Sequence, residues 1–138
     1  SPSRRPTALL ALCIKLCCLS VHDDEGLGKT SLYRLVKAFY SDVESTQVLC
    51  VQVLQAAILI ATFEIGDTIY PAAYLTVGAC ARYAIAMGLD KINKDRMGGE
   101  PKTISWMEIE ERRRAWWAIL ILDRFVTSYP SSLIGHPD

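Results

Sequence analysis

A Gly-Lys-Thr triplet at residues 28–30 is the first candidate for chemistry, because loops that bind nucleotide phosphates end in these residue types. The complete pattern has a second glycine five residues before Gly28 and a buried strand before the loop. This chain has Asp23 at the glycine position, and an acidic side chain repels phosphate. We therefore interpret the triplet as a turn before a helix, and the sequence predicts no nucleotide site.

Cysteine and histidine side chains are the next candidates, as metal ligands or catalytic groups. The cysteine count is odd, two cysteines are adjacent and no Cys-x-x-Cys pair occurs, so their spacing matches no zinc site. His22 lies in a predicted turn and His136 near the C-terminus, where neither has the support that a catalytic base needs. We predict reduced core thiols of an intracellular protein, no cofactor or metal in this chain and no enzymatic activity. The cysteines are Cys13, Cys17, Cys18, Cys50 and Cys80.

Three consecutive arginines, Arg112, Arg113 and Arg114, could form a phosphate clamp or a nuclear import patch. Acidic residues precede them on the same predicted helix. An acid four residues before a base, as in Glu108 with Arg112 and Glu110 with Arg114, stabilises a helix by about 0.2–0.5 kcal/mol per exposed pair. A solvated or interdomain helix face with neutralised charges is therefore the favoured interpretation. The guanidinium groups could also stack on the tryptophan rings that follow.

The composition indicates one folded domain that does not itself contact DNA. Of its 138 residues, 51% are hydrophobic, which is enough for a sizeable core. The 15 Lys and Arg residues balance 15 Asp and Glu residues, so no basic face for DNA phosphates is predicted. Residues 45–63 are uncharged and about long enough to span a membrane, but three glutamines interrupt them. They predict a buried helix of a soluble protein.

The helix that must carry the arginines has the clearest boundaries in the sequence. Ser105 is predicted to cap its start, and Glu108, three residues on, completes a capping box. From Ala115 to Leu122 the residues are apolar on every side, so we expect other helices to surround this part. Trp116 and Trp117 are predicted to be core residues that face two different neighbours.

Three earlier helices are predicted from apolar residues that recur every three or four positions. The first covers about Thr7 to Ser20, and the second has an apolar face between Leu32 and Val43, after a turn at residues 22–29. The third runs from Gln47 to Ile65 after a cap at residue 45 or 46, either Ser45 or Thr46. Because it is apolar nearly all round, the third helix should lie at the centre of the fold.

A fourth helix is predicted to begin at Asp67 or Thr68, with Pro71 in its first turn, and to end just before Gly88. Residues 91–103 contain two glycines and a proline and predict a polar connector. No strand-like alternation is long enough to count. The fold class predicted is therefore all-α, an array or bundle of about five helices.

Three of these segments resemble, in the same order, the regulatory (middle homology) domain of fungus-specific transcription factors that carry a binuclear zinc cluster. The segments are Val53–Phe63, Tyr74–Lys91 and Ser105–Arg124. The positions that match the family signature are Gly78, Arg82, Gly88, Leu89, Glu111, Arg112, Arg113, Arg114, Trp116, Trp117, Asp123 and Arg124. A Gly-Arg-Pro sequence that usually follows is replaced here by Gly135-His136-Pro137.

The resemblance implies a nuclear, all-helical module that regulates RNA polymerase II transcription, by helix packing and in response to an effector. DNA would be bound only through a zinc cluster, and zinc is expected in that cluster, which this chain lacks. A homodimer partner, co-regulator proteins or a small-molecule inducer are the further partners implied, and no membrane. The alternative is a helical interaction or scaffold module, or a truncated product, without any DNA reader.

The resemblance also suggests that residues 1–138 are one partial domain. Family helices should continue after its C-terminus, and Ser1 in place of Met is interpreted as a fragment boundary. We therefore expect a bundle that is incomplete at the C-terminus.

Two polar features leave alternatives open. Arg82 is the one charge inside the fourth helix, and it could pair with Asp123 in the interior or point into solvent. Gln52 and Gln55 could line an effector pocket or be satisfied amides between helices.

Overall fold

The computed structural model describes residues 4–19, 26–92 and 105–128, which form five α-helices and one short 3₁₀ helix and contain no β-strand. The all-α prediction is thus confirmed. His22, His136, Gly135 and most of the predicted connector lie outside the described residues. The helices are α1 (Arg4–Leu19), α2 (Gly26–Glu44), α3 (Val51–Gly66), α4 (Ala72–Ala86), the 3₁₀ helix (Leu89–Lys91) and α5 (Trp106–Thr127).

Helix α3 lies at the centre of the fold, as its apolar sequence predicts, and packs against α1, α2, α4 and α5. Its buried residues point in several directions. Val53, Ala56 and Ile60 contribute to a core with α1 and α2, whereas Leu54 and Ala57 contribute to a second core with α4 and α5. Because α3 is covered from more than one side, it fixes the relative positions of the other helices.

The first core joins the N-terminal helices to α3. Leu9, Cys13 and Leu16 of α1 are fully buried in it and meet Val36 and Val43 of α2. The second core joins α3 to α4, the 3₁₀ helix and α5 through Cys80, Ala84, Leu89, Ala115 and Ile119. A third, smaller cluster of Ala61, Val77 and Val126 holds the far end of α5 against α3 and α4.

The start of α2 corrects one prediction. The helix begins at Gly26, so Gly28, Lys29 and Thr30 are helical and do not form the predicted turn. Lys29 donates to Asp67 at 2.6 Å and lies over the Phe63 ring, with its ammonium 5.4 Å from the ring centroid. These contacts hold the first turns of α2 against the end of α3, an effect that sequence periodicity does not reveal.

The starts of α3 and α4 also differ from the prediction. The residue that precedes α3 is Cys50, and it makes no side-chain cap bond. The Ser45 and Thr46 hydroxyls instead donate to the Asp42 and Val43 carbonyls, so they close the end of α2. Helix α4 begins at Ala72 rather than at residue 67 or 68, because the backbone turns at residues 67–71 before it.

A fully buried carboxylate, Glu64, is the one charged residue of α3. The Tyr33 hydroxyl donates to its Oε2 atom, and the Lys37 ammonium donates to the same oxygen at 3.3 Å. Oε1 has no hydrogen-bond partner among the described residues. Burial, followed by this hydrogen bond and the carboxylate charge, raises the pKa of Tyr33. The buried charge therefore ties α3 specifically to α2, since a buried ion needs its partners to be tolerated.

The five thiols are free, but they are not all core residues. Cys13 and Cys80 are fully buried, so the core prediction is correct for these two. Cys18 is exposed, because it lies on the outer side of α1, and the prediction is wrong for it. Cys17 and Cys50 are half-buried. Burial raises the pKa of Cys13 and of Cys80 to about 12.

The Lys37–Glu64 contact predicts a compensating pair of substitutions. Lys37→Met leaves the buried carboxylate with Tyr33 alone and should lower the free energy of unfolding by about 1–3 kcal/mol. Solvent screening of the half-exposed ammonium favours the lower end of that range. Adding Glu64→Gln removes the unpaired charge and should recover part of the loss. Urea unfolding at neutral pH measures both, and a double variant less stable than Lys37→Met would contradict the interpretation.

The buried thiols predict selective alkylation. Iodoacetamide should modify Cys18 in the folded protein, whereas Cys13 and Cys80 should react only after unfolding in urea, because the thiolate is the reactive form. Their pKa of about 12 in the fold exceeds the ordinary 9.0, so they favour folding fully below pH 9.0. This contribution is lost as the pH rises towards 12. Peptide mass spectrometry gives the rates, and equal rates for Cys80 and Cys18 would exclude the buried arrangement.

Gly88 and Gly78 predict opposite effects of the same substitution. Gly88 follows the end of α4 with φ of 80°, where a side chain is strained, and Gly78 lies inside α4; neither has an atom among the described residues that would contact a new Cβ. Gly88→Ala should therefore lower the free energy of unfolding by about 1–2 kcal/mol. Gly78→Ala should raise it by up to about 1 kcal/mol. Thermal or urea unfolding decides, and equal effects of the two changes would contradict the assigned backbone conformations.

Candidate functional site

An open groove of about 610 Å³ between α4 and α5 brings together signature positions from two separate sequence segments. Gly78 and Arg82 are one helical turn apart on α4, and Asp123 comes from α5. The absence of a side chain at Gly78 leaves open space beside the groove. The remaining lining residues are Glu44, Tyr74, Leu75, Ala79, Tyr83 and Val126.

The charges of this groove are available to solvent and to ligands. Glu44, Arg82 and Asp123 are all exposed. Arg82 and Asp123 line the same groove but do not form an ion pair, so of the two alternatives open from the sequence the solvent-pointing one holds for Arg82. One guanidinium and two carboxylates therefore face a shared space, beside the apolar surface of Leu75 and Val126.

Tyr83 connects the groove to the loop of residues 45–50, which joins α2 to α3. The Cys50 backbone N–H donates to the Tyr83 oxygen at 3.0 Å. The hydroxyl lies 3.3 Å from the Val48 carbonyl oxygen and 3.4 Å from the Cys50 carbonyl oxygen, either of which can accept its proton. Burial is the main cause that raises the pKa of Tyr83. This role was not predicted from the sequence; the one signal was that a phenol on a largely apolar helix needs a hydrogen-bond partner when it is buried.

Gly88 and Leu89 lie away from the groove and act in the fold. Gly88 takes the left-handed conformation that ends α4, which confirms its predicted position after the helix. Leu89 is buried in the second core. These two signature positions shape the turn after α4 and do not line the groove.

The first turns of α5 confirm the predicted cap and one of two predicted ion pairs. The Ser105 hydroxyl accepts from the Glu108 N–H at 3.2 Å. Glu110 pairs with Arg114 at 3.4 Å, as predicted, and with Arg113 at 2.8 Å. The pair between Glu108 and Arg112 does not form.

The arginine run is therefore only partly paired, because Arg113 and Arg114 share Glu110 and Arg112 forms no ion pair among the described residues. The Nη2 atom of Arg113 is buried and has no hydrogen-bond partner within the described ranges. In the described part of the chain, cation–π contacts join Arg5 to Phe39 and Lys29 to Phe63, so no arginine stacks on a tryptophan. Glu111 and Arg124, the remaining charged signature positions, are exposed.

The two tryptophans of the signature have different environments. Trp116 is half-buried and packs against the second core, whereas Trp117 is 58% exposed. The prediction that both are core residues is wrong for Trp117, because only one side of α5 faces α3 and α4. Ile121 and Phe125 are exposed on the outer side of α5, and Leu75 and Ile85 are exposed on α4. Trp117, Ile121 and Phe125 recur at four-residue steps on one stripe of α5, which we term the outer apolar face.

Residues 4–19, 26–92 and 105–128 contain no group of three or more His, Cys, Asp or Glu side chains that could hold a metal ion. Among the helices that the structure describes, none combines the length and the apolar character needed to cross a membrane.

A family profile and several relatives match this sequence. The profile described as "Fungal specific transcription factor domain" matches residues 3–137. Transcription factor BOA15 of Botryotinia fuckeliana (strain B05.10) is 40% identical over 112 residues, 81% of this chain and 61% of that protein. Transcription factor tazR of Aspergillus terreus (strain NIH 2624 / FGSC A1156) is 37% identical over 76 residues, 55% of this chain and 12% of that protein.

A third relative is the Tropolone cluster transcription factor tropK of Talaromyces stipitatus, 29% identical over 118 residues, 77% of this chain and 21% of that protein. This chain thus spans 61% of the length of BOA15 and smaller shares of the other two. No solved structure gives a significant match. Since the profile covers nearly the whole sequence, the chain belongs to the fungal specific transcription factor domain family, and the relatives named above are transcription factors.

Proposed function

We propose that this chain is the regulatory domain of a factor that controls RNA polymerase II transcription in the nucleus. DNA is read by a zinc cluster elsewhere in the same polypeptide, and zinc belongs to that cluster. Membership of the family and the names of the relatives support the proposal. The net charge of zero also supports it, because a domain that neutralises DNA phosphates carries a basic face.

The groove between α4 and α5 is the site through which an effector or a co-regulator acts. The observation that carries this assignment is that Gly78 and Arg82 of α4 share one solvent-accessible space with Asp123, which comes from a distant segment of the sequence on α5. Residues that only stabilise a helical fold are usually buried or paired, whereas Arg82 and Asp123 are exposed and have no ion-pair partner among the described residues. Exposed charges beside apolar surface are suited to recognition of a polar partner group.

Binding is assigned to the groove in preference to catalysis. Its lining contains no histidine and no thiol within the described part of the chain. Its carboxylates are exposed and have no neighbouring base to work with among those lining residues, so no nucleophile is activated there. The groove can hold a ligand by charge and by apolar contact, and its occupancy can alter how α5 lies on α4.

A second candidate function is a helical interaction module that has no DNA reader. The outer apolar face favours it, because a cluster of large exposed apolar residues often marks a surface that contacts another protein. The two functions differ in what lies upstream in the coding region. Six closely spaced cysteines with basic residues there support the regulatory proposal, and their absence favours the interaction module.

Substitutions in the groove should change transcriptional output without unfolding the domain. In the full-length factor, Arg82→Ala and Asp123→Ala should each change expression of a reporter gene about fivefold or more, the range of a typical coupling between sites. Because both side chains are exposed, the melting temperature of the purified domain should stay the same. Reporter assays in fungal cells and thermal unfolding provide the two measurements.

Arg124→Ala is the matched control for this experiment. Arg124 is also an exposed signature arginine, on the turn of α5 that carries Asp123, but it does not line the groove. Its substitution should leave reporter output close to that of the unaltered factor. If all three variants behave alike, or if output falls only together with the melting temperature, the groove is not a regulatory site.

A further inference from the structure

A second cavity lies where the start of α1, the end of α2 and the start of α3 meet at the loop of residues 45–50. Its volume is about 440 Å³, within the range of about 300–1,000 Å³ of small-molecule pockets. Pro6, Val43 and Val53 are buried and form its apolar floor. Val48, which is 61% exposed, lies at its mouth. No signature position lines this cavity, which we term the loop pocket.

The polar groups of the loop pocket define what it can bind. Arg5 is the one charged residue among its described lining, and it is already paired with Asp42 and lies over the Phe39 ring. The Thr46 hydroxyl donates to the Val43 carbonyl. The half-buried side-chain amide of Gln52 has no partner among the described residues, so it offers a donor and an acceptor. A charged ligand would thus find no free counter-ion in this lining.

We propose that the loop pocket binds a small, neutral, largely apolar molecule with one hydrogen-bonding group that contacts the Gln52 amide. The apolar floor supplies affinity by removing ligand surface from water. The amide fixes orientation, as the few polar groups of such pockets generally do. This use of Gln52 matches one of the two alternatives open from the sequence, and Gln55 does not line the pocket.

The loop pocket is physically connected to the groove between α4 and α5. Cys50 and Val48 line the pocket. The Cys50 N–H donates to Tyr83, which lines the groove, and the Val48 carbonyl is one of the two acceptors within reach of the Tyr83 hydroxyl. Glu44, the last residue of α2 before the loop, also lines the groove. A ligand that displaces the loop would therefore move one wall of the groove. This regulatory consequence rests on the proposed function, whereas the binding site does not.

Binding to the purified chain tests the site directly. The probe is Nile red, a neutral dye whose emission shifts to the blue in apolar surroundings. We expect saturable one-to-one binding. Val48→Trp should weaken it at least about tenfold, because the indole fills the mouth of the pocket. Leu49→Trp, at an exposed position of the same loop that does not line the pocket, should leave the affinity within about twofold.

A pair of competitors of equal size tests the proposed ligand class. 1-Naphthamide should displace the dye and 1-naphthoate should not, because only the neutral compound avoids burying an unpaired charge. Gln52→Leu should weaken 1-naphthamide about 3- to 10-fold, as expected for one lost hydrogen bond. Stronger displacement by 1-naphthoate, or no saturable binding of the dye or the amide, would overturn the proposal.

Two further variants distinguish binding in the loop pocket from binding on the other surfaces of the domain. Ile121→Ser alters the outer apolar face. If Ile121→Ser abolishes dye binding and Val48→Trp retains it, the dye binds to that face and the proposed site is refuted. Arg82→Ala should not alter dye affinity. If Arg82→Ala also leaves reporter output unchanged, the regulatory role of the groove is refuted, but the binding site in the loop pocket is not. Altered reporter output in Val48→Trp, with Leu49→Trp unchanged, would support the connection through Tyr83, and equal output in both would refute that connection.

Discussion

Burial of α3 from several sides at once is the constraint on which the rest of this structure depends. An almost wholly apolar helix leaves water only if neighbours cover each of its faces, and here four helices do so. Its single charge, Glu64, then restricts the arrangement further, because the buried carboxylate is tolerated only beside Tyr33 and Lys37. These hydrogen bonds require a rotation of α2 about its axis that brings Tyr33 and Lys37 inward.

The position of α2 in turn determines where both candidate sites lie. The loop of residues 45–50 joins the end of α2 to the start of α3. The hydroxyls of Ser45 and Thr46 bond its first residues to the last turn of α2. Tyr83 then holds its last residue to α4. The loop therefore separates two spaces, the loop pocket on the α1 side and the groove on the α4 side. No atom of Glu64 lines either space, so its contact acts on them only through the position of α2.

Features governed by neighbouring residues in the sequence could be predicted, and features governed by distant contacts could not. The Ser105 cap, the Gly88 termination and the central place of α3 follow from residue types within one or two turns. The Tyr33–Glu64 bond joins residues 31 positions apart, and no periodicity reports it. The exposure of Trp117 could not be predicted for a different reason. A helical segment that is apolar on every side does not indicate which side its neighbours will cover. Gly78, Arg82 and Asp123 were identified by resemblance, but only the packing of α4 on α5 shows that they share a groove.

The unequal burial of the helices supports the regulatory role proposed for the groove between α4 and α5. Eight residues of α3 are buried, whereas α5, the longest helix of the described residues, buries Ala115, Ile119 and Val126. Two of these three side chains are small or medium in size. Burial in the core therefore contributes less free energy of folding per turn for α5 than for α3. Elements that move in regulation come from the less stable parts of a fold. A ligand in the groove therefore needs to shift only a helix with few buried side chains, while α3 and the Glu64 contact keep the remaining helices in place.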